Sequence, residues 1–267
     1  MGGTARLSRV YGDETWRVYE ALDESLGPGG PDSLYDLAGS HLTAGARVLD
    51  AGCRDAVHLI RLAELYGVRG AGIDAVPIHV QRARSAVAAA GLDDRLEIVL
   101  GVLEELPFPE QHFDFVWCRD VLEQVDDLDA ALRESRRVLR SGGRMLVFTV
   151  VTTARLTPDD AELLAHHMGN VPENLDQHRI EAAFAAAGLH VQRRDVIGTE
   201  WREHAEERDG TVSRALLRLA RLRRQRGDFV GRFGADVCDH IEANLHWEVF
   251  QFLGKLLPVV YLLRRVD

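Results

Sequence analysis

A chain of 267 residues, 46% hydrophobic and 28% charged, is long enough to bury a substantial core as one α/β domain with insertions. A formal net charge of −10 argues against nucleic acid as the main partner, because neutralising phosphates requires a broad basic surface. Cys53, Cys118 and Cys238 are odd in number and far apart, which fits reduced thiols and neither a disulfide framework nor a metal site.

The opening residues 1–14 contain no apolar core, and no uncharged apolar run reaches the roughly 18 residues of a membrane span. The expected location is the cytoplasm, with no membrane partner. Residues 12–26 read as a helix that Asp13 can cap, with Trp16, Val18, Tyr19, Leu22 and Leu26 as its apolar positions. GPGGP at 27–31 breaks it, and a short helix follows over 33–42. Residues 1–45 thus form an expected N-terminal helical cap.

From 46 to 150 strands and helices alternate. Strands are predicted at 46–52, 68–74, 96–101, 113–118 and 144–150, and helices at 55–66, 76–90 and 128–140, the last closed by Ser141-Gly142-Gly143. Alternation at this spacing implies right-handed βαβ units in a doubly wound α/β sheet. Beyond 150 the pattern loosens. Residues 154–176 read as irregular or weakly helical, 178–188 as a helix and 190–198 as a strand. Two long helical patterns follow near 211–226 and 235–253, then a last strand from Pro258. The apolar stripes of the two long helices, Leu216, Leu217, Leu219, Ala220 and Leu222, then Val237, Ile241, Leu245, Val249, Phe250 and Leu253, suggest a cap over the strand ends or a homodimer face. Arg221, Arg223, Arg224 and Arg226 read as a solvated helix face.

Ligands on such sheets bind at the carboxyl ends of the strands, near the switch in strand order. The turn after strand one, Asp50-Ala51-Gly52-Cys53-Arg54-Asp55-Ala56, is therefore the leading site. Gly52 lets a ligand approach the main chain, and the following helix start offers free N–H donors. Asp74, 22 residues past Gly52 at the end of strand two, can accept both hydroxyls of a ribose. A dinucleotide is disfavoured because its G-x-G-x-x-G pattern finds Gly52, Arg54 and Val57, one match of three.

Val48-Leu49-Asp50-Ala51-Gly52-Cys53, Gly72-Ile73-Asp74, Glu104 to Phe108 with Phe113 to Trp117, and Arg137 to Gly143, in that order and spacing, resemble the class I S-adenosylmethionine-dependent methyltransferases. The likeness is to the menaquinone and sterol branch, which acts on small molecules. The resemblance implies a seven-stranded, mostly parallel sheet with helical cap insertions. Its last strand, 259–265, should insert antiparallel beside strand six. It also implies S-adenosylmethionine as cofactor and a small-molecule acceptor. Under it, Asp50, Gly52, Cys53, Arg54, Asp74, Ala75, Val102, Leu103, Cys118 and Arg119 are the expected cofactor contacts. Asp120, Glu123, His167 and Trp201 are the candidates for touching the acceptor. Residues 46–150 would be the cofactor core and 151–267 the rest of the sheet with the substrate cap.

The chain departs from the family pattern at four places. Arg54 and Ala56 replace two of the loop's glycines, Val102 stands where an acid contacts adenine, and Gln124 replaces a histidine after strand four. No histidine ends strands one to four, so the sequence names no catalytic residue. Alignment of the two reactants then becomes the expected source of rate. Two alternatives stay open on these residues: cyclisation or rearrangement on the same fold, and a binding protein with a degenerate cofactor loop.

Overall fold

A computed structural model describes residue 7 and residues 10–266. Most of the opening segment discussed above (residues 1–6, 8 and 9) and Asp267 lie outside the described residues.

Helix α1 (Asp13–Asp23) is capped by Gly12 rather than Asp13, and buries none of its residues. Trp16, Val18, Tyr19, Leu22 and Leu26 are all exposed. Their spacing makes an apolar stripe, but no element among the described residues covers it, so helical periodicity here does not report a core. Helix α2 (Ser33–Gly39) is shorter than its pattern and buries Leu34, Tyr35 and Ala38.

The alternating region follows its pattern closely. Strand β1 (Arg47–Ala51) leads to α3 (Val57–Tyr66), β2 (Arg69–Asp74), α4 (Pro77–Ala89) and β3 (Leu96–Leu100). Then come β4 (Phe113–Arg119), α5 (Leu128–Val138) and β5 (Leu139–Thr152). One boundary differs from expectation. Ser141-Gly142-Gly143 does not close the helix, because buried Leu139 already pairs with Phe113 in the sheet. The glycines instead absorb a bulge, after which Phe115 pairs with Arg144; Gly142 takes φ +70° there.

Residues 154–176 are more regular than they read. Helix α6 (Pro158–Met168) begins with a full capping box between Thr157 and Asp160. After α7 (Gln177–Ala186) and β6 (Leu189–Val196) come α8 (Glu200–Asp209), α9 (Thr211–Arg224), α10 (Arg226–Phe233) and α11 (Ala235–Phe252). Helices α8 and α10 were not separate elements in the sequence pattern. Of the two long helical stripes, Leu219, Leu245 and Val249 join a small core with Val212 and Ala215. Leu216, Leu217, Val237, Ile241 and Leu253 stay exposed. Arg221, Arg223 and Arg224 are exposed and Arg226 is half-buried, and Arg223 and Arg226 also pair with Glu242 and Asp239 of α11.

The seven strands order β3-β2-β1-β4-β5-β7-β6. Strand β7 (Leu256–Arg265) runs antiparallel to both its neighbours, β5 and β6; the other pairs are parallel. Pro258 lies inside β7, and its carbonyl accepts from Ile197 just past the end of β6. Its missing N–H therefore faces a strand end and costs no ladder bond. Val48, Trp117, Phe148 and Val260 pack on one face of the sheet with α2 and α3. Leu49, Val116, Val147 and Tyr261 pack on the other with α5 and α7. Burial on both faces explains the continuous apolar runs of the strands. Chain order reverses between β1 and β4, which opens the crevice at their carboxyl ends.

Candidate functional site

A cavity of about 690 Å³ lies at that crevice, within the ~300–1,000 Å³ of small-ligand sites. A second concavity of about 480 Å³ sits at the opposite edge, among Arg47, Arg69, Arg95 and His112. The strand-end rule favours the first.

Its near wall is the turn after β1. Gly52 and Cys53 both donate to the Ile73 carbonyl at 2.9 Å, which ties the turn to the end of β2. Gly52 takes φ +79°, and a Cβ there would sit 2.3 Å from a Val121 methyl. Arg54 (φ 49°) and Ala56 (φ 61°) both take the left-handed conformation that glycine adopts most easily. A side chain at each position therefore carries backbone strain of about 1–2 kcal/mol. Exposed Arg54 offers a direct check. Arg54→Gly should stabilise the protein by about 0.5–1 kcal/mol after the extra entropy of glycine is counted. Thermal unfolding should show a rise of roughly 1–4 °C, and an unchanged or lower midpoint contradicts the strain account.

Asp74 closes the opposite side of the turn. Its Oδ2 accepts the Arg54 amide at 2.9 Å, and its Oδ1 accepts the Val76 amide at 2.9 Å and contacts His79 Nδ1 at 3.1 Å. The carboxylate thus shapes the loop as well as facing the cavity. Ala75, Val102 and Leu103 complete this wall.

Behind the turn lies Asp50. It is buried, and its Oδ2 has no hydrogen-bond partner. Burial pushes its carboxyl up to about 7; the Leu59 amide opposes this and the charge of Asp74 adds to it. A buried carboxylate oxygen without a donor is a vacancy for a cation, and the ammonium of a methionine moiety would satisfy it. His58, beside it on the wall, bonds Tyr35 Oη at 2.6 Å. Burial and then Arg119 hold its imidazole down to about 4, so it is neutral at physiological pH. Tyr35 in turn stacks on Trp117 at 5.2 Å.

The far end of the cavity is polar. Arg119 and Asp120 leave β4 as an ion pair at 3.4 Å, with Arg119 lying 5.5 Å over the Phe148 ring. Asp120 has φ 55°, a strained conformation of the kind that collects at functional sites. The next turn presents Glu123. Its Oε1 accepts from Thr149 Oγ1 and the Val150 amide, both at 2.7 Å, while Oε2 has no partner. Burial, then the neighbouring charge of Asp120, push this carboxyl up to about 7. Across the cavity stand Asn170, Arg202, Asn244, Trp247, Glu248 and Gln251. Arg202 and Glu248 are paired. Asn170 Nδ2, Arg202 Nε and Gln251 Oε1 are buried without partners.

The structure brings Gly52, Cys53, Arg54, Asp74, Ala75, Val102, Leu103, Arg119, Asp120 and Glu123 to this one cavity, with Asp50 behind it. It does not bring Cys118, His167 or Trp201 there. Cys118 is fully buried in the sheet core, on the face opposite Trp117, because alternation along β4 turns successive side chains to opposite faces. Burial raises its thiol well above the usual range. His167 packs edge-on against His166, and only its neighbours Met168 and Asn170 reach the wall. Trp201 is drawn into the core by stacking on Phe148 at 5.0 Å; the next residue, Arg202, reaches the cavity instead. Among the described residues no group of His, Cys, Asp and Glu is placed to hold a metal.

Residues 49–147 match the family model described as Methyltransferase domain. The chain is 30% identical over 184 residues to the 27-O-demethylrifamycin SV methyltransferase of Amycolatopsis mediterranei, covering 67% of this chain and 68% of that protein. It is 28% identical over 239 residues to the sarcosine/dimethylglycine N-methyltransferase of Halorhodospira halochloris, covering 88% and 76%. Two other curated relatives are matched over only 41% and 47% of their own length. The crystal structure of the [4+2]-cyclase SpnF superposes with a TM-score of 0.70 at 22% identity, over 88% of this chain and 81% of that one; at that identity the likeness is one of fold.

Proposed function

This chain belongs to the class I S-adenosylmethionine-dependent methyltransferases, and from that membership we propose that it methylates a small molecule bound at the polar end of the crevice. The observation that carries the reading is the Gly52 turn at the carboxyl edge, with the unpartnered Asp50 Oδ2 behind it and Asp74 across it. S-adenosylmethionine supplies a methyl group on a positively charged sulfur. Asp50 would face the methionine ammonium and Asp74 the ribose. Val102 and Leu103 would flank the adenine, and Arg119 would lie towards the sulfonium end.

In this reading residues 46–150 hold the cofactor. The 151–267 region covers the acceptor through Asn170, Arg202 and the inward face of α11. The segment 1–45 contributes Tyr35 beneath the loop, while α1 stands away from the core. The net charge of −10 supports an acceptor other than nucleic acid. No helix among the described residues is long and apolar enough to cross a membrane, which supports a cytoplasmic enzyme. Exposed Phe233, Val237 and Ile241 support a homodimer face on the cap.

The test is calorimetry with S-adenosylhomocysteine, followed by transfer of labelled methyl to small acceptors. Asp74→Ala should weaken S-adenosylhomocysteine by about 2 kcal/mol, within the range for hydrogen bonds to a charged group. Unchanged affinity in that variant removes Asp74 from the ribose.

A further inference from the structure

Resting on the reading above, we propose that the acceptor is methylated on a protic heteroatom, a hydroxyl or an amine, and that Glu123 is the catalytic residue that takes its proton. The short 3-10 turn Leu122–Gln124 follows directly from the end of β4 and carries Glu123 into the cavity wall. A carboxylate kept only for structure and buried this deeply is expected to satisfy both oxygens. Here Thr149 and Val150 fix Oε1 and leave Oε2 unpaired. That arrangement orients one lone-pair oxygen and holds it ready.

The surroundings specify what it meets. Glu123 Oε2 and Gln251 Oε1 are unpaired acceptors, and Asn170 Nδ2 and Arg202 Nε are unpaired donors, on residues that line the same cavity. A hydrocarbon nucleophile would leave all four unsatisfied. A hydroxyl or amine with neighbouring polar groups would pair them, and polar sites of this kind reject analogues that lack the matching group. The other charged and titratable groups lining this cavity are Arg54, Asp55, His58, Asp74, His79, Glu104, Arg119, Asp120, Asp126, Arg202 and Glu248. Burial first, and then the negative charge of Asp120, make Glu123 a better proton acceptor.

In the step, the acceptor's oxygen or nitrogen forms its new bond to the methyl carbon as the C–S bond breaks, and the C–S electron pair stays on sulfur. The O–H or N–H proton passes to Glu123 Oε2 and then to water. This role replaces the expectation of transfer by alignment alone.

Three probes separate the nucleophile classes: 27-O-demethylrifamycin SV for oxygen, sarcosine for nitrogen, and geranyl diphosphate for an alkene carbon. Labelled methyl should appear on the oxygen or the nitrogen probe. E123Q keeps an acceptor for Thr149 and Val150, so the fold and S-adenosylhomocysteine affinity should hold within about threefold. Its turnover should fall at least a hundredfold, the size of a lost general base, and with the oxygen probe at saturating cofactor the acidic limb of the wild-type pH profile should vanish. Label on geranyl diphosphate alone, or on no oxygen or nitrogen probe, overturns the proposal. So does E123Q turnover within tenfold of wild type, or an acidic limb that survives the substitution with the oxygen probe at saturating cofactor. Failure of S-adenosylhomocysteine to bind, measured without any acceptor, overturns the site reading itself and this proposal with it.

Discussion

Asp50→Asn is expected to make the cofactor-free protein more stable at pH 8 and at the same time to weaken S-adenosylhomocysteine binding by about a hundredfold. The two effects share one cause. A carboxyl held at about 7 in the fold against 3.8 when exposed disfavours its charged form by roughly 4 kcal/mol, at about 1.4 kcal/mol per pH unit. Because the folded-state value is raised, the native chain binds more protons than the unfolded chain between pH 4 and 7. Stability from this group is therefore full below pH 4, falls as pH rises through that window, and is lost above 7. Asparagine removes the charge but leaves an amide N–H to satisfy, at a cost of about 1–3 kcal/mol. The net gain at pH 8 is then about 2 kcal/mol; it falls to zero within that window and becomes a loss of about 1–3 kcal/mol near pH 4, where only the amide cost remains. An ammonium in the site pairs with the carboxylate and cancels its burial cost, which asparagine cannot do. Denaturant unfolding of both proteins at pH 4 and 8, with calorimetry at pH 8, reads both effects. Equal stability at pH 8 together with equal affinity would remove Asp50 from the cofactor site.

The end of the crevice around the Gly52 turn was legible in the sequence because its determinants are local. Asp50, Gly52 and Asp74 sit at the ends of two apolar strand runs, and strand ends are what alternation locates best. Even the departures at Arg54 and Ala56 could be read as positions, though not as strain, since φ is not visible in composition. The alternation of β4 is equally visible, and it turns Cys118 into the core on the face opposite Trp117.

The polar far end was harder, because its residues come from four separated segments and carry no turn chemistry. One signal was present. Asn244, Trp247, Glu248 and Gln251 fall at i, i+3, i+4 and i+7 of α11 and form one inward face. The apolar stripe on the same helix is the stronger pattern, although several of its members are exposed. A polar stripe on a helix with an apolar companion stripe marks a cavity wall as readily as a solvent face. At Trp201 the error was one residue: bulk and apolarity took the tryptophan to Phe148 and left Arg202 for the site. Helix α1 shows the converse, a periodic pattern without a partner to bury it.

Gly52→Ala should both destabilise the fold and abolish cofactor binding, and Gly45→Ala supplies its control. The two glycines have nearly the same backbone, φ +79° and +81°, so alanine costs each about 1–2 kcal/mol in conformational strain. They differ in space. Nothing lies within 4 Å of a Cβ at Gly45, whereas at Gly52 it would meet Val121 Cγ2 at 2.3 Å and Cγ1 at 3.0 Å. Val121 is β-branched and held between Asp120 and the Leu122–Gln124 turn, so it has few rotamers into which to retreat. Overpacking of this kind costs a further ~1–3 kcal/mol. Gly52→Ala is therefore expected to lose about 3 kcal/mol and roughly 6–12 °C in midpoint, against about half that loss for Gly45→Ala. Relief at position 52 pushes Val121 towards the cavity that both residues line, so S-adenosylhomocysteine affinity should drop by at least a hundredfold, while Gly45→Ala binds normally. Equal losses of stability and affinity in the two variants would mean that strain alone acts at Gly52, and that Val121 does not set the width of the crevice.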